Sequence, residues 1–548
     1  MSDRRFKLPS FGRSRPAPDA PPMFRFNAER GQIVAEVVAR ASETLEGREV
    51  ETLLVDAAYL ETKRLQERPD SEEAREKLPS WRDLARRIPR MGDGERARAL
   101  DGLVREHAQD VAGNFDPRVY HLASKILPVA LTAAIAPGTL VSQALGRGGL
   151  MDRITVESDH LEALRALSRK ATLVVTPTHL SNLDSIVLGF ALDREGLPPM
   201  TYGAGKNLFS NPLISFFMHN LGAYRVDRRI KHELYKHVLK TYSTVILERG
   251  YHSIFFPGGT RSRSGSVESK VKLGLLGTGI EAFTRNLRAR KSSPLVVYVP
   301  TSINFLLTLE AESLIEDYLK EAGKARYIIE DDEFSRADRW LSLISGLMRL
   351  KSAVYIRFGQ PLDPFGNAVL ADGRSVDPRG REVDPASYVL RSSEPVVDAL
   401  RDAEYTRQLG QTLVDHFARE TVLLSTHICA RVLFEKLGAA FPDADLFQRL
   451  RLHGQLVVPR DEVVAGMDAL RSRLVALEDQ GKLRVGRVVR QARPAELLER
   501  ALLAWRDYHG PHAAAEWREG QVALGDLELL YYYQNRLSVF GRHLGASS

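Results

Sequence analysis

The sequence predicts an α/β fold in which a mostly parallel sheet, flanked by helices, lies between helical N- and C-terminal regions. Two observations favour this fold class. Over residues 153–360, short apolar runs typical of buried strands alternate with helical stretches, which is the pattern of parallel strand–helix–strand units. On both sides of that stretch, charged and apolar residues follow one another with helical periodicity.

The composition is that of a chain with a large buried core. Hydrophobic residues fill 44% of the 548 positions and charged residues 27%, which excludes global disorder and low-complexity classes. The single cysteine, Cys429, excludes an internal disulfide framework and any multi-cysteine zinc or iron–sulfur site. Lys and Arg outnumber Asp and Glu by 77 to 70, a formal charge of +7 that permits anionic partners without selecting one.

The first two segments differ in character. Residues 1–23 are basic and rich in proline and lack the apolar stretch of a secretory signal, so we expect a disordered basic tail. Its Arg and Lys residues are suited to anionic lipid, but a solvated arm is the simpler interpretation. Residues 24–115, rich in Arg, Glu, Ala and Leu, predict a helical N-terminal domain.

A run without charged residues extends from Ile126 to Gly146, within a predicted membrane-associating segment over residues 116–152. Its length is near the ~20 residues that a membrane-spanning helix needs. Pro128 and Pro137, however, interrupt its apolar surface. Three interpretations stay open at this point: a spanning helix, an interfacial or re-entrant segment, and a buried soluble element.

The predicted central α/β domain covers residues 153–395. Its predicted strands are the apolar runs 171–177, 253–256, 294–300 and 353–359. Its predicted helices lie between those runs, at 183–192, 232–248 and 276–287.

Three further segments complete the prediction. Residues 203–207 resemble a nucleotide-binding loop but lack its third glycine, so we expect a turn there. The many turn residues of 361–387 predict a loop or hairpin. Residues 396–548 return to helical periodicity and predict a helical C-terminal domain.

The first candidate for chemistry is His179, which follows the strand 171–177, with Asp184 five positions later where the next helix begins. In a parallel sheet the ligand crevice lies beyond the carboxyl ends of the strands. A tight turn there would bring the carboxylate onto an imidazole nitrogen, fix the tautomer and leave the other nitrogen as a base. The spacing alone also fits a structural arrangement, in which Asp184 favours the helix N-terminus and His179 packs in the turn.

Two arginine-bearing loops follow in the same α/β unit. In the first, residues 222–229 contain a short strand that ends in the adjacent arginines Arg228 and Arg229. In the second, residues 255–265 lead from a strand into a loop rich in Gly and Arg. Glycines let backbone amides approach an anion, and guanidinium groups match phosphate oxygens. Lys270 and Lys272 add charge just beyond the second loop. A last apolar strand ends in Val-Pro-Thr-Ser-Ile-Asn, where the proline shapes a pocket wall or ends the strand.

Other motifs that carry chemistry do not occur in the sequence. It holds neither the G-x-S-x-G elbow of α/β-hydrolases nor the G-x-x-x-x-G-K-[ST] phosphate loop. No histidine–carboxylate cluster has convincing metal-ligand spacing.

As a set, these motifs resemble the four blocks of the glycerolipid acyltransferases. His179 and Asp184 are similar to the H-x4-D box, GAYRVDR to the second block, GGTRSR to the third and YVPTSIN to the fourth, in the same order and with matching spacing. Within that family the chain is similar to the membrane-bound bacterial glycerol-3-phosphate acyltransferases and to the dihydroxyacetone-phosphate acyltransferases. The continuation Arg-Ser-Arg-Ser-Gly and the long flanking helical regions favour this branch over the shorter lysophosphatidate enzymes.

The third block departs from the family pattern. It commonly begins Glu-Gly, whereas Gly258 stands in place of the glutamate here. The departure keeps open a catalytically impaired, lipid-binding membrane protein as one alternative. The other alternative is an acyltransferase that acts on lysophosphatidate or dihydroxyacetone phosphate.

The resemblance implies an acyl-CoA-dependent glycerol-3-phosphate O-acyltransferase, which moves a fatty acyl group from acyl-CoA or acyl carrier protein to the sn-1 hydroxyl in the first step of phospholipid synthesis. It implies His179 as general base and Asp184 as its orienting partner, and it requires neither metal nor cofactor. The substrate-binding residues that it implies are Arg228, Gly259, Thr260, Arg261, Ser262, Arg263 and Pro300. It further implies contact with a membrane lipid surface at the cytoplasmic face of the inner membrane, peripheral or interfacial, and no nucleic-acid partner.

Overall fold

A seven-stranded sheet forms the centre of the molecule. The structure, a computed structural model, describes residues 21–46, 48–126, 153–209, 212–323, 354–452 and 456–544. The strands of the sheet follow the order β1-β7-β6-β2-β5-β3-β4. Their bounds are β1 Ile154–Glu157, β2 Thr172–Pro177, β3 Thr201–Gly205, β4 Ala223–Val226, β5 Ser253–Ile254, β6 Val296–Phe305 and β7 Val354–Phe358.

All neighbouring strands in this sheet are parallel except β6 and β7, which run antiparallel. The predicted fold class, a mostly parallel sheet with helical regions on either side, is therefore confirmed. Along β2, Leu173 and Val175 face one core while Val174 faces another. Both faces of the central strands are thus buried, which explains why the predicted strands are continuous apolar runs.

The N-terminal helices pack against one edge of the sheet domain. They are α1 Phe26–Glu46, α2 Val50–Gln66, α3 Glu72–Arg87, α4 Asp93–Val111 and α5 Pro117–His121. Residues of α1, α2 and α4 share one apolar cluster with Tyr224 and Tyr242 of the sheet domain. The Tyr242 hydroxyl also accepts a hydrogen bond of 3.1 Å from the Gly113 amide. Apolar burial and this polar contact together anchor the N-terminal helices to the sheet domain.

The helices of the sheet domain connect its strands. They are α6 Leu161–Leu167, α7 Asp184–Arg194, α8 Pro212–Asn220, α9 Glu233–Glu248, α10 Leu273–Leu276, α11 Thr278–Arg288 and α12 Ala311–Gly323. The turn-rich stretch after β7 forms short strands, as the sequence predicts. These strands are β8 Ala368–Val369, β9 Ser375–Val376, β10 Glu382–Val383, β11 Leu390–Arg391 and β12 Glu394–Pro395.

The C-terminal region is mainly helical and shares a core with the sheet. Its helices are α13 Ala399–Glu420, α14 Ser425–Ala440, α15 Leu446–Leu450, α16 Arg460–Asp479, α17 Arg487–Gln491, α18 Pro494–His509, α19 Leu527–Gln534 and α20 Gly541–Leu544. Short strands also occur in it: β13 Val422–Leu423, β14 Val457–Val458, β15 Arg484–Val485, β16 Ala515–Arg518 and β17 Gln521–Leu524. Buried residues of α14, α18 and α19 belong to the same apolar cluster as those of β2 and β6.

Two local predictions were wrong. Residues 203–207 do not form the predicted turn. Gly203 to Gly205 belong to β3, which pairs with β4 and β5. A Cβ atom at Gly203 would lie 3.1 Å from the Tyr224 ring, so this glycine serves close packing inside a strand. The strand predicted to end at Pro300 instead continues to Phe305.

The position of Pro300 within β6 has a simple physical reason. The N–H and C=O groups of one residue in a strand point to the same side. The Pro300 carbonyl accepts from the Gly359 amide at 2.8 Å, just after β7 ends at Phe358. The missing N–H therefore faces Gly359, one residue beyond the end of β7, so the proline removes at most the terminal bond of the β6–β7 ladder.

The apolar run 126–146 lies, apart from Ile126, outside the described residues. Among the residues that are described, no helix is both long enough and apolar enough to cross a membrane.

Candidate active site

His179 and Asp184 meet in the turn between β2 and α7. The Nδ1 atom of His179 lies 2.8 Å from Oδ2 of Asp184, which is the first residue of the helix. The same oxygen accepts the backbone N–H groups of Leu180 at 2.7 Å and Ser181 at 3.1 Å. An ionised carboxylate only accepts, so this contact places the proton on Nδ1 and leaves the lone pair on Nε2.

The two side chains differ in exposure. The Asp184 side chain is fully buried, whereas 15% of the His179 side chain is exposed. The ring of Phe256 packs on the imidazole at a centroid distance of 4.4 Å. The imidazole is therefore held on one side by a carboxylate and on one face by an apolar ring.

The third sequence block is bound directly to this turn. The backbone N–H of Ser262 donates to the His179 carbonyl at 2.7 Å. The backbone N–H of His179 donates to Oε1 of Glu268 at 2.6 Å. Two hydrogen bonds of opposite direction thus fix the arginine-rich loop against the histidine.

An open groove of about 370 Å³ lies along this loop. Four of the predicted substrate-binding residues line it: Thr260, Arg261, Ser262 and Arg263. Tyr318 and Glu321 of α12 also contribute to the lining. Ser262 and Glu268 belong both to the groove lining and to the contacts of His179, so the groove adjoins the imidazole.

Each arginine of the groove faces a carboxylate. Arg261 lies 3.6 Å from Oε1 of Glu310, and Arg263 Nη1 lies 2.6 Å from Oε2 of Glu321. Glu310 also accepts from the Ser181 hydroxyl and the Asn182 amide, both at 2.8 Å. Burial raises the pKa of Glu310, and Arg261 opposes that rise. Glu310 therefore connects the arginine loop to the His–Asp turn.

A further cation, Lys272, lies against the glycine loop, and its charge interacts with that of Arg228. Gly259 has a positive φ of 79°, and a Cβ atom there would lie 2.6 Å from the Lys272 Nζ atom. Burial lowers the pKa of Lys272, and the charge of exposed Arg228 lowers it further. Among the described residues, no carboxylate is paired with Lys272. Two neighbouring cations of this kind are suited to a dianionic phosphate.

Pro300, the last predicted substrate-binding residue, lies deeper in the molecule. It is buried in β6 opposite Thr176 of β2 and is not among the groove-lining residues that the structure describes. The predicted residues therefore separate into a group around His179 and the groove, Gly259 beside Lys272, exposed Arg228, whose charge acts on Lys272, and this buried proline.

Sequence reasoning missed three charged residues at the site: Glu268, Glu310 and Arg536. None of them belongs to a recognisable spacing, and Arg536 is brought to the site from the C-terminal region. Within the described residues, no group of three or more His, Cys, Asp or Glu side chains is placed to hold a metal ion.

Comparison with known proteins agrees with this geometry. A family model described as Acyltransferase matches residues 154–301, from β1 into β6, and so includes His179, Asp184 and the arginine-rich loop. Together with the fold and the site, this match shows that the central region is similar to acyltransferase domains.

The chain is also similar to curated proteins named glycerol-3-phosphate acyltransferase. It is 25% identical to the one from Pseudomonas fluorescens over 299 residues, 54% of this chain and 32% of the relative. It is 28% identical to the one from Pseudomonas aeruginosa over 213 residues, 38% of this chain and 24% of the relative. The chain thus spans about a third or less of the curated relatives that it matches. The resemblance to the glycerol-3-phosphate acyltransferases, inferred from four sequence blocks, is confirmed.

Proposed function

We propose that this protein transfers a fatty acyl group from acyl-CoA or acyl carrier protein to the sn-1 hydroxyl of glycerol 3-phosphate. The observation that carries the proposal is the His179–Asp184 contact beside a cation-lined groove. The names of the curated relatives support this acceptor.

In the proposed reaction, Nε2 of His179 removes the proton from the acceptor hydroxyl. The oxygen attacks the thioester carbonyl, a C–O bond forms, and the C–S bond then breaks. The imidazolium returns its proton to the leaving thiolate, so no acyl-enzyme is needed. Asp184 keeps the ring in the required tautomer and stabilises its charged form, and such general-base catalysis contributes about 10²–10⁴-fold.

Backbone amides of the glycine loop supply the proposed stabilisation of the tetrahedral oxyanion. Two amides are already engaged, since Ser262 donates to His179 and Gly259 donates to the Phe256 carbonyl at 3.0 Å. The role therefore falls on the other amides of this loop.

The proposed phosphate site combines Arg228 and Lys272, with Arg261 and Arg263 along the adjoining groove. Lys272 is the strongest candidate because its charge is opposed by Arg228 rather than neutralised by a paired carboxylate. A bound phosphate would relieve this repulsion and hold the hydroxyl near the base.

The proposed location is the cytoplasmic face of the inner membrane, peripheral or interfacial. Support comes from the uncharged run 126–146 and from the lipid character of the product.

One assay tests the proposal and its alternatives. The purified protein is incubated with labelled acyl-CoA or acyl carrier protein and, separately, with glycerol 3-phosphate, dihydroxyacetone phosphate or lysophosphatidate. Product with glycerol 3-phosphate supports the proposal, product only with another acceptor corrects the substrate, and no product with any acceptor contradicts an acyltransferase activity.

Replacing the proposed base tests the mechanism. His179→Ala is expected to lower kcat by about 10²–10⁴-fold because no other group takes the hydroxyl proton. The matched control is His512→Ala, since His512 is exposed and lies in the C-terminal region. Normal turnover by His179→Ala would remove the base assignment.

A further inference from the structure

The carboxylate of Glu268 lies directly behind His179. Its Oε1 atom accepts the His179 backbone N–H at 2.6 Å, whereas its Oε2 atom is shielded from solvent and has no hydrogen-bond partner among the described residues. Burial raises the pKa of Glu268, and the His179 amide and the charge of Arg536 oppose the rise. An ionised Glu268 therefore depends on these two neighbours.

Glu268 also fills the space beside Gly258. A Cβ atom at Gly258 would lie 3.2 Å from Cγ and 3.6 Å from Oε1 of Glu268. A side chain at position 258 would thus enter the volume that the Glu268 carboxylate occupies. The glycine at 258 and the glutamate at 268 are sterically coupled, and one carboxylate fits between these positions.

Arg536 supplies the balancing charge from the C-terminal region. Only 2% of this residue is exposed, and its Nη2 atom donates to Oδ1 of Asn304 at 2.9 Å. Its Nε and Nη1 atoms have no hydrogen-bond partner among the described residues. Burial lowers the pKa of Arg536, and the carboxylates of Glu268 and Asp184 oppose that effect.

The surroundings of Arg536 leave no room for a substrate. The adjoining cavity has a volume of about 10 Å³ and is lined by Leu180, Gly265 and Tyr532, among others. A cavity of this size holds about one water molecule. The charge of Arg536 therefore acts on protein groups and not on a bound acyl chain.

The C-terminal segment is fixed closely against the arginine-rich loop. Nδ2 of Asn535 donates to the Ser264 carbonyl at 3.0 Å. A Cβ atom at Gly265 would lie only 2.2 Å from the Tyr532 carbonyl oxygen. Because backbone meets backbone here, the position of Arg536 relative to the loop is well defined.

From these contacts we infer that Glu268 is a positioning residue for His179 and that Arg536 balances its charge. The inference rests on the proposed function, because it concerns how the same site is held. Glu268 fixes the backbone of His179 through its hydrogen bond, and Asn304 fixes the side chain of Arg536. Because Arg536 comes from the C-terminal region, that region contributes to the active site in this scheme. The two charges oppose the effect of burial on each other, so removing either one leaves the other less compensated.

The first experiment exchanges the carboxylate between the two coupled positions. Gly258→Glu alone is expected to lower kcat because two carboxylates then compete for one site, and Glu268→Ala alone is expected to lower it by about tenfold or more. The double variant Gly258→Glu/Glu268→Ala is expected to recover most of the loss. Because both positions line the groove, KM for each substrate is measured in every variant, and a positioning role predicts a fall in kcat that exceeds any rise in KM.

The second experiment removes the cation. Arg536→Met is expected to lower kcat with little change in KM, whereas Arg536→Lys retains more activity because it keeps the charge. The control is Arg357→Met, which breaks the buried ion pair Arg357–Glu420 at 2.8 Å on β7, a strand that β6 separates from β2. The control should lower thermal stability without lowering kcat of the folded protein.

A readout without turnover separates this inference from the proposed function. The rate at which diethyl pyrocarbonate modifies His179, followed by peptide mass spectrometry, reports the setting of the imidazole in every variant. A wild-type protein without acyl transfer contradicts the proposed function, but His179 reactivity still tests its positioning. The inference is overturned if Glu268→Ala, which does not depend on the folding of Arg536→Met, leaves both kcat and His179 reactivity at wild-type values.

Discussion

Single residues at this site are arranged so that each buried carboxylate has its own donors. Asp184 accepts hydrogen bonds from the imidazole and from two backbone amides. Glu310 accepts from Ser181 and Asn182 and is ion-paired with Arg261. Glu268 accepts from the His179 amide. Burial raises the pKa of Glu268 and of Glu310, and the donors around each carboxylate oppose that rise.

Arg261 and Arg263 each face a carboxylate, whereas no carboxylate is paired with Lys272 among the described residues, and this difference predicts their roles in binding. Lys272→Met is expected to raise KM for glycerol 3-phosphate by about tenfold while KM for the acyl donor changes little. Arg261→Ala should also raise KM for the phosphate substrate, but it additionally releases Glu310 and so should lower kcat. Steady-state kinetics with each substrate varied in turn measures both effects.

A control for total charge accompanies that comparison. Lys482 is exposed in the C-terminal region, so Lys482→Met removes the same charge far from the groove. Equal KM changes for Lys272→Met and Lys482→Met would show that Lys272 does not contact the phosphate.

Among the secondary-structure elements, those that depend mainly on residues near in sequence were predicted correctly from the hydrophobic pattern. The strands β2 and β7 and the helices α7 and α9 lie where apolar runs and helical periodicity placed them. The strand β3 was missed because its glycines, selected by close packing against Tyr224, look like a turn. The strand β1 was missed because it is short and only partly buried.

Glu268 and Arg536 were missed for a different reason. Arg536 reaches its partner Asn304 across 232 positions of sequence, a contact that no spacing rule anticipates. His179 and Asp184, by contrast, are five residues apart and their contact follows from one strand end and one helix start. The contact between residues near in sequence could therefore be predicted, whereas the contacts between distant segments that hold the site in place could not.

The contact between the arginine-rich loop and the C-terminal segment predicts a severe glycine substitution. Gly265→Ala combines a positive φ of 78° with a Cβ atom 2.2 Å from the Tyr532 carbonyl oxygen. We expect it to destabilise the protein by about 2–4 kcal/mol and to lower kcat, because the loop must move. Denaturant unfolding and turnover measure the two effects.

Gly373→Ala is the matched control. Gly373 also has a positive φ, 98°, but a Cβ atom there meets nothing within 4 Å. It should cost only about 1 kcal/mol of conformational strain. If both variants lost the same stability, the backbone contact at Tyr532 would not be tight.

For the whole molecule, the important fact is that the sheet shares its cores with both flanking regions. One apolar cluster joins α14, α18 and α19 to β2 and β6, and another joins α1, α2 and α4 to α9. Burial on this scale is the main stabilising contribution in a folded protein. It also explains how Arg536, far away in sequence, is held rigidly at the site.

The same burial predicts how stability depends on pH. Burial lowers the pKa of several histidines from 6.5: to about 3 for His107 and His427, and to about 4 for His232, His252 and His416. Between these values and 6.5 the unfolded chain binds protons that the folded chain does not. Each such histidine therefore removes about 1.4 kcal/mol of stability per pH unit as the pH falls below 6.5.

Carboxylates do not cancel this effect in the upper part of that window. The raised pKa values of Glu268 and Glu310 mean that protonating these two groups on acidification stabilises the folded protein, but such groups are few. The pKa of salt-bridged Glu73 is lowered to about 2, so its protonation destabilises the folded protein only below about pH 4.5. The free energy of unfolding is therefore expected to fall steeply between pH 6.5 and 5, as measured by denaturant titrations at each pH.

One histidine can be tested by itself. His252 is buried and its Nδ1 atom accepts the Leu173 backbone N–H at 3.0 Å, a bond that a glutamine oxygen can replace. His252→Gln should reduce the slope of stability against pH by about 1.4 kcal/mol per unit between pH 6.5 and 5. His512→Gln, at an exposed position, should leave the slope unchanged. Because a neutral glutamine takes up no proton in either state, an unaltered slope in His252→Gln would mean that folding does not lower the pKa of His252.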